Sequence, residues 1–164
     1  MKFNREKYID LIMYILFKTY NKRSFGKTVL STIMYFIDFN YYELYGRLLT
    51  KETYIKSKKG IEPVHLHEIT QDLISKNQMT MRKEPYYNRT IHRYYPTIIP
   101  TCKFSKKELE IINLVLSRLS NSNAHTITKY VKYDSPLIIA EFGENIDCRY
   151  VFSRNENYSI LKNK

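Results

Sequence analysis

The residue types best suited to metal binding or acid–base chemistry occur here without the spacing that such sites need. His65, His67 and Glu68 lie close together in the sequence. On a helix, however, positions i and i+2 point about 200° apart, so these two histidines cannot share one metal ion. A catalytic zinc site needs a third ligand and an open position, and His92 and His125 lie in no motif that would supply them. The sequence therefore predicts no metal site and no cofactor.

Nucleophilic catalysis and phosphate binding also lack their usual motifs. The chain has no Gly-x-Ser-x-Gly segment, and Cys102 and Cys148 form neither a zinc pattern nor a Cys-x-x-Cys pair. With only four glycines, it has no glycine-rich loop for a phosphate group. We therefore predict a protein that is not an enzyme and has no catalytic residues. A disulfide between these two distant cysteines stays an alternative, but two cysteines in a chain of this length fit a reduced cytosol better.

The apolar segment 8–17 does not predict a membrane span. It is too short to cross a bilayer, is interrupted by Asp10, and is not followed by a small-residue cleavage site. We expect a cytoplasmic protein without a membrane partner.

Residues that favour binding are abundant by comparison. The chain contains 16 tyrosines and carries a formal net charge of +11. Tyrosine and arginine interleave between residues 79 and 100, at Arg82, Tyr86, Tyr87, Arg89, Arg93, Tyr94 and Tyr95. Such a segment could stack on single-stranded nucleic acid, anchor a protein interface, or pack its own tyrosines onto the core. All three interpretations stay open on the residues alone.

Apolar periodicity places these residues on a mainly helical fold. It predicts helices over 4–20, 27–45, 63–76, 105–120, 123–133 and 136–142. Strand patterns occur over 52–58 and 145–153, and a hairpin over 79–100 with Asn88 at its turn. Asn4 and a Ser105–Glu108 capping box mark two helix starts, and Gly46 marks a helix end. A winged helix that reads DNA with the second of the last two long helices is an alternative for the final third.

The second helix, residues 27–45, is apolar on nearly all sides, so it lies at the centre of its domain or contributes to a partner surface, and we favour the centre. It carries one acid, Asp38, at the edge of its main apolar face. A buried carboxylate is costly without partners. We therefore predict that Asp38 is a structural tie, bonded to Arg47, Lys56 or the Tyr54 hydroxyl in the segment that follows.

Residues 32–69, "TIMYFIDFNYYELYGRLLTKETYIKSKKGIEPVHLHEI", resemble the Panacea domain of SocA-like antitoxins. The family pattern is a helix, a strand and turn, and a further helix. It is matched at Tyr35, Asp38, Tyr45, Gly46, Arg47, Thr50, Thr53, Tyr54, Lys56, Gly60 and Pro63. Later, "KYDSPLIIAEFGENI" is similar to the end of the family at Pro136, Gly143, Glu144 and Ile146. The resemblance implies a Panacea domain over 1–152 and leaves 153–164 as a short tail.

The resemblance implies an α+β fold, mainly an α-helical single domain with small antiparallel strands. It also implies a non-catalytic protein that binds and neutralises a cognate toxin, and some relatives deliver the toxin to a Clp-type protease. Two alternatives are a nucleic-acid-binding module that uses the basic hairpin, and an orphan structural or adaptor protein of the same fold. The candidate partner contacts are Tyr42, Tyr45, Arg47, Tyr54, Lys56, Tyr86, Tyr87, Arg89, Arg93 and Tyr94.

Overall fold

The computed structural model describes residues 2–162, which form α-helices, one 3₁₀ helix and two antiparallel strand pairs. The helices are α1 (Arg5–Lys18), α2 (Lys27–Tyr45), α3 (Leu66–Ser75), α4 (Lys106–Leu119), α5 (Ala124–Val131), α6 (Ser135–Ile139) and the 3₁₀ helix (Cys148–Ser153). The strands are β1 (Tyr54–Ser57) paired with β2 (Gly60–Pro63), and β3 (Met79–Tyr86) paired with β4 (Arg89–Pro96). The predicted mainly helical α+β class is confirmed.

Helix α2 lies at the centre, and the other elements pack around it. Every residue from Val29 to Tyr41 is buried. Helices α1, α4 and α5, strands β2 and β4 and the 3₁₀ helix all contact it. The helix ends at Gly46, whose left-handed φ of 71° lets its N–H donate to the Tyr42 carbonyl. The predicted bounds of this helix and its central place are both confirmed.

Side-chain caps fix the starts of α1 and α4 where the sequence predicts them. The Asn4 side chain accepts a hydrogen bond from the Lys7 N–H at 3.1 Å. At α4, Ser105 accepts from the Glu108 N–H and the Glu108 carboxylate accepts from the Ser105 N–H. These bonds satisfy backbone groups that the first helical turn leaves without partners.

The predicted start of the third helix and the predicted strand at 145–153 are wrong. Pro63 does not open the third helix but ends β2 opposite Tyr54, so α3 begins at Leu66. A proline is tolerated at the end of an edge strand because no ladder hydrogen bond needs its missing N–H. Residues 145–153 do not form a strand, because the Asp147 carboxylate accepts from the Arg149 N–H at 2.9 Å and starts a helical turn.

Residues 143–146 cover the outer edge of β1. Lys56 exchanges backbone hydrogen bonds with this segment, donating to the Glu144 carbonyl at 3.0 Å and accepting from the Gly143 N–H at 2.7 Å. The Ile146 N–H donates to the Tyr54 carbonyl at 2.8 Å. The small β1–β2 hairpin is thereby joined to the last third of the chain.

Residues 154–161, here called the C-terminal clasp, pack against the domain instead of extending from it. The fully buried Arg154 guanidinium donates two hydrogen bonds of 2.8 Å to Asp134, one of 2.9 Å to Asn40 and one of 3.0 Å to Glu43. Ser159 donates to the other Glu43 oxygen at 2.7 Å. Most of the predicted tail 153–164 is therefore bound to α2, while residues 163–164 lie outside the described residues.

Asp38 joins α2 to the segment before β1. One carboxylate oxygen accepts from the Thr50 N–H at 2.7 Å, and the other accepts from the hydroxyls of Thr50 at 2.6 Å and Tyr54 at 2.5 Å. Tyr54 is thus a partner as predicted, whereas the remaining bonds come from Thr50 instead of Arg47 or Lys56. The partners are uncharged, and burial raises the pKa of Asp38 to about 6 despite hydrogen bonds that lower it.

We expect Asp38→Ala to lower the free energy of unfolding by about 1–3 kcal/mol, because it leaves buried donors on Thr50 and Tyr54 without an acceptor. Urea denaturation at neutral pH measures this. An unchanged melting temperature would contradict the structural role.

The cost of Asp38→Ala is also expected to depend on pH. The folded carboxyl has a pKa of about 6, and the unfolded one has an ordinary pKa near about 4. Between these values the folded state binds the proton more tightly, so the contribution of Asp38 to stability falls as pH rises from about 4 to about 6. Denaturation of both proteins at about pH 4.5 and about pH 7.5 should show the larger difference at the lower pH. Equal differences at the two values would refute this assignment.

Candidate partner-binding groove

A groove of about 1070 Å³ lies between the two hairpins. Residues 86–92, at the turn of the β3–β4 hairpin, form one wall, and residues 55–63 of the β1–β2 hairpin form the other. The start of α2 and the start of α5 complete the lining. Four segments far apart in sequence therefore meet around one open space.

The β3–β4 hairpin holds its place through a buried arginine at its base. The Arg93 guanidinium donates to the backbone carbonyls of Phe25 at 3.2 Å and Tyr20 at 3.1 Å, and lies 3.5 Å from Glu84. Beside it, a Cβ at Gly26 would come within 3.3 Å of Ile91. The small residue therefore lets the hairpin lie directly against the start of α2, and the turn extends beyond this anchor to form the groove wall.

The groove carries positive charge that the protein does not neutralise. Lys27, Lys59 and Arg89 line it from three different elements, together with one acid, Glu62. None of these three cations forms an ion pair with another residue in the part of the chain that the structure describes. Their charge is consequently available to a partner.

Aromatic and apolar side chains lie between these charges. Tyr87 is 89% exposed, and its ring packs edge-on against Tyr86 at a centroid distance of 4.8 Å. Val64 is half exposed on the other wall, with Ile91 facing it from the hairpin side. Tyrosine and arginine beside apolar surface are the residues that most often anchor protein interfaces.

The predicted contacts on α2 lie away from this groove. Tyr45 lines a shallow pocket of about 250 Å³ against α4, and the Lys107 ammonium lies 5.5 Å from its ring centroid. Arg47 packs over the Tyr41 ring, and Tyr42 contacts Phe152. Tyr86, Tyr87 and Arg89 are therefore the predicted contacts that the structure brings together, separately from Tyr42, Tyr45 and Arg47.

Four predicted contacts have structural roles instead. Tyr54 is buried on Asp38, and Arg93 and Tyr94 are buried at the base of the hairpin. The half-buried Lys56 donates from Nζ to the Ala140 carbonyl at 2.9 Å and lies over the Phe142 ring. Their side chains face the protein, so a rigid partner could not reach them without displacing these bonds.

Sequence reasoning missed several surface residues. Lys27 lies outside the family pattern and Lys59 is not one of its matched positions, so only the packing places them in one groove with Arg89. The structure also exposes large apolar side chains around α6 and the 3₁₀ helix, two elements that contact each other, and they are here called the apolar patch: Tyr133, Ile138, Ile139, Phe142, Tyr150 and Phe152. The short apolar run at residues 137–142 was its sequence signal, but it fits a buried helix equally well.

The residues suited to catalysis are dispersed. His65 lies 2.6 Å from a Glu52 carboxylate oxygen and stacks on Phe3, away from His67 at the groove. Within residues 2–162, no three His, Cys, Asp or Glu side chains could hold one metal ion. Cys102 is unpaired, and burial beside Asp10 raises its thiol pKa to about 11, which suppresses the nucleophilic thiolate.

Arg93 and Tyr87 should respond differently to substitution, because one anchors the hairpin and the other lies at its tip. We expect Arg93→Ala to cost about 1–3 kcal/mol by leaving buried carbonyls without donors. Tyr87→Ala should change stability by less than about 0.5 kcal/mol. Hydrogen exchange should show faster exchange of the β3–β4 amides in the first variant only. Equal protection in both variants would disprove the anchoring role.

Comparison with known proteins places this geometry in a family. The family model described as "Antitoxin SocA-like, Panacea domain" matches residues 30–136, more than half of the chain. That span contains most of α2, both hairpins and the helices α3 to α5. No curated protein and no solved structure matches the chain at a significant level.

Among the described residues, no helix is both long enough and apolar enough to span a membrane. The region matched by the family model includes the Asp38 tie and both walls of the groove. The chain belongs to the family of SocA-like antitoxins with a Panacea domain.

Proposed function

We propose that this protein is an antitoxin that binds a cognate protein toxin and neutralises it. The observation that carries the proposal is the family match over residues 30–136, since the family is antitoxin-like and generally non-catalytic. The groove supports it, because its walls lie within the matched region and present exposed tyrosine and unpaired basic residues to a partner.

The proposed mechanism is occlusion. A stable complex of ordinary size covers about 800 Å² on each partner, which is enough to cover the functional face of a small toxin without any chemical step. Exposed side chains such as Tyr87 would provide the anchors. The free cations would speed association with an acidic surface. We place this event in the cytoplasm, where toxins that act on translation have their targets, and the unpaired Cys102 and Cys148 agree with a reducing compartment.

A role as an adaptor for a Clp-type protease is an extension of this proposal. An adaptor must contact two proteins at once, and the apolar patch on α6 and the 3₁₀ helix consists of residues outside the groove lining. A toxin in the groove would therefore leave the patch free for a second protein.

A nucleic-acid-binding function is the second candidate, favoured by the net charge of +11 and by the unpaired cations of the groove. It requires affinity that falls steeply with salt concentration. Weak binding to DNA and RNA, no tighter than about 1 mM at moderate salt, would eliminate it. An orphan structural or adaptor protein of the same fold would bind neither nucleic acid nor the product of an adjacent gene.

Co-expression with the product of the adjacent reading frame tests the proposal. We expect that product alone to arrest growth, this protein to restore growth from a separate promoter, and the two to purify as a complex. An unchanged level of the toxin would indicate occlusion, whereas a fall that requires Clp protease would indicate the adaptor role. A harmless product, or failure to form a complex, would refute the antitoxin function.

A further inference from the structure

The charge and shape of the groove indicate what kind of ligand it accepts. Its volume of about 1070 Å³ is at the upper limit of small-molecule pockets, which span about 300–1,000 Å³. Lys27, Lys59 and Arg89 reach it from the start of α2, the β1–β2 turn and β4, so three cations from three elements outweigh the one acid of the lining, Glu62. The groove therefore fits a segment of a chain that carries negative charge better than a single small anion.

The first turn of α2 adds to this positive potential. Its N-cap residue is Gly26, which has no side chain to accept hydrogen bonds from the first N–H groups of the helix. The partial positive charge of a helix start favours nearby anions. The partial positive charge at the start of α2 thus adds to the positive charge of the Lys27 side chain at the same end of the helix.

The surface between the cations distinguishes a protein segment from a nucleic acid. A single-stranded nucleic acid needs a continuous basic track and aromatic faces on which successive bases stack. Here apolar Val64 and Ile91 line the groove together with the cations, and of the two tyrosines at the hairpin turn Tyr87 is 89% exposed whereas Tyr86 is partly buried. A peptide in which acidic and apolar side chains alternate would match both the charges and the apolar surface between them.

We propose that the groove binds an acidic segment of the toxin, in which Asp or Glu side chains alternate with apolar ones. The inference rests on the proposed antitoxin function for the identity of the partner, but not for the chemistry that the groove recognises. The carboxylates would pair with Lys27, Lys59 and Arg89, and the apolar side chains would contact Val64 and the tyrosines of the hairpin turn. Since the three cations form no ion pair within residues 2–162, binding breaks no ion pair of that part of the chain.

Two triple variants with the same change in net charge test the groove. The groove variant is Lys27→Glu, Lys59→Glu and Arg89→Glu. The control is Lys106→Glu, Lys129→Glu and Lys83→Glu, which alters exposed cations outside the groove lining. Lys106 matches Lys27 because each is the first residue of its helix, and Lys83 matches Arg89 because both lie on the β3–β4 hairpin. Melting temperatures establish that both variants fold. If one of them does not fold, Gln replaces Glu at the same positions in both variants, so that the change in net charge stays equal.

The first probe is a displayed library of random dodecapeptides, selected on the wild type and on both variants. We expect the wild type and the control to enrich peptides with alternating acidic and apolar residues, and the groove variant to lose this enrichment. A selected peptide should bind the groove variant about ten- to 100-fold more weakly than the control. Enrichment without acidic residues, or equal enrichment on all three proteins, would overturn the inference. Stronger binding of a twelve-residue oligothymidine, lost in the groove variant, would overturn it in favour of nucleic acid.

The second readout uses the co-expressed toxin and separates the two proposals. If the control restores growth and the groove variant does not, the groove is the toxin-binding site. If both restore growth equally, the toxin binds elsewhere and the inference fails while the antitoxin function stands. If the wild type itself neutralises nothing, the antitoxin function fails, and the peptide selection alone decides whether the groove recognises acidic segments.

Discussion

The burial of α2 on all sides is the constraint on which the rest of the structure depends. A helix with no solvent face cannot leave its polar side chains to water, so Asp38, Asn40 and Glu43 need partners from other segments. The segment before β1 supplies the partners of Asp38, and the C-terminal clasp supplies those of Asn40 and Glu43. Two segments that follow α2 in the sequence are thereby fixed to this central helix by hydrogen bonds that a purely apolar helix would not require.

Packing around the same central helix also divides residues of one type into two groups: those that stabilise the core and those that are exposed at the proposed partner surface. Tyr35 and Tyr54 lie in the core and donate to buried carboxylates, while Tyr87 lies almost wholly in solvent. Arg93 and Arg89 differ in the same way, although both belong to β4. The proposed partner surface lies where α2 begins, between the two hairpins.

The limits of the sequence reasoning follow from these distinctions. The bounds of α2 are predictable because apolar residues and Gly46 act locally, and the hairpin is predictable from its turn at Asn88. The burial of Arg93 and Tyr94 is not, because both faces of the hairpin base are covered by segments distant in sequence. One wall of the groove can be predicted from the sequence, since Tyr86 to Arg89 belong to one segment. Lys27 and Lys59 cannot be assigned to the same groove in this way, because they lie in other segments.

The C-terminal clasp has a consequence for how fast the protein folds and unfolds. The hydrogen bond between Arg154 and Glu43 joins residues that are 111 positions apart in the chain. A loop of this length closes slowly, and its contacts stabilise the fold only after it has closed. Before it closes, Glu43 and Asp134 have no guanidinium beside them, so a compact state without the clasp must keep these carboxylates hydrated or protonated. Contacts that form after the rate-limiting step slow unfolding without accelerating folding. Because its contacts span so much of the chain, we expect the clasp to form late and to act mainly on the lifetime of the folded state.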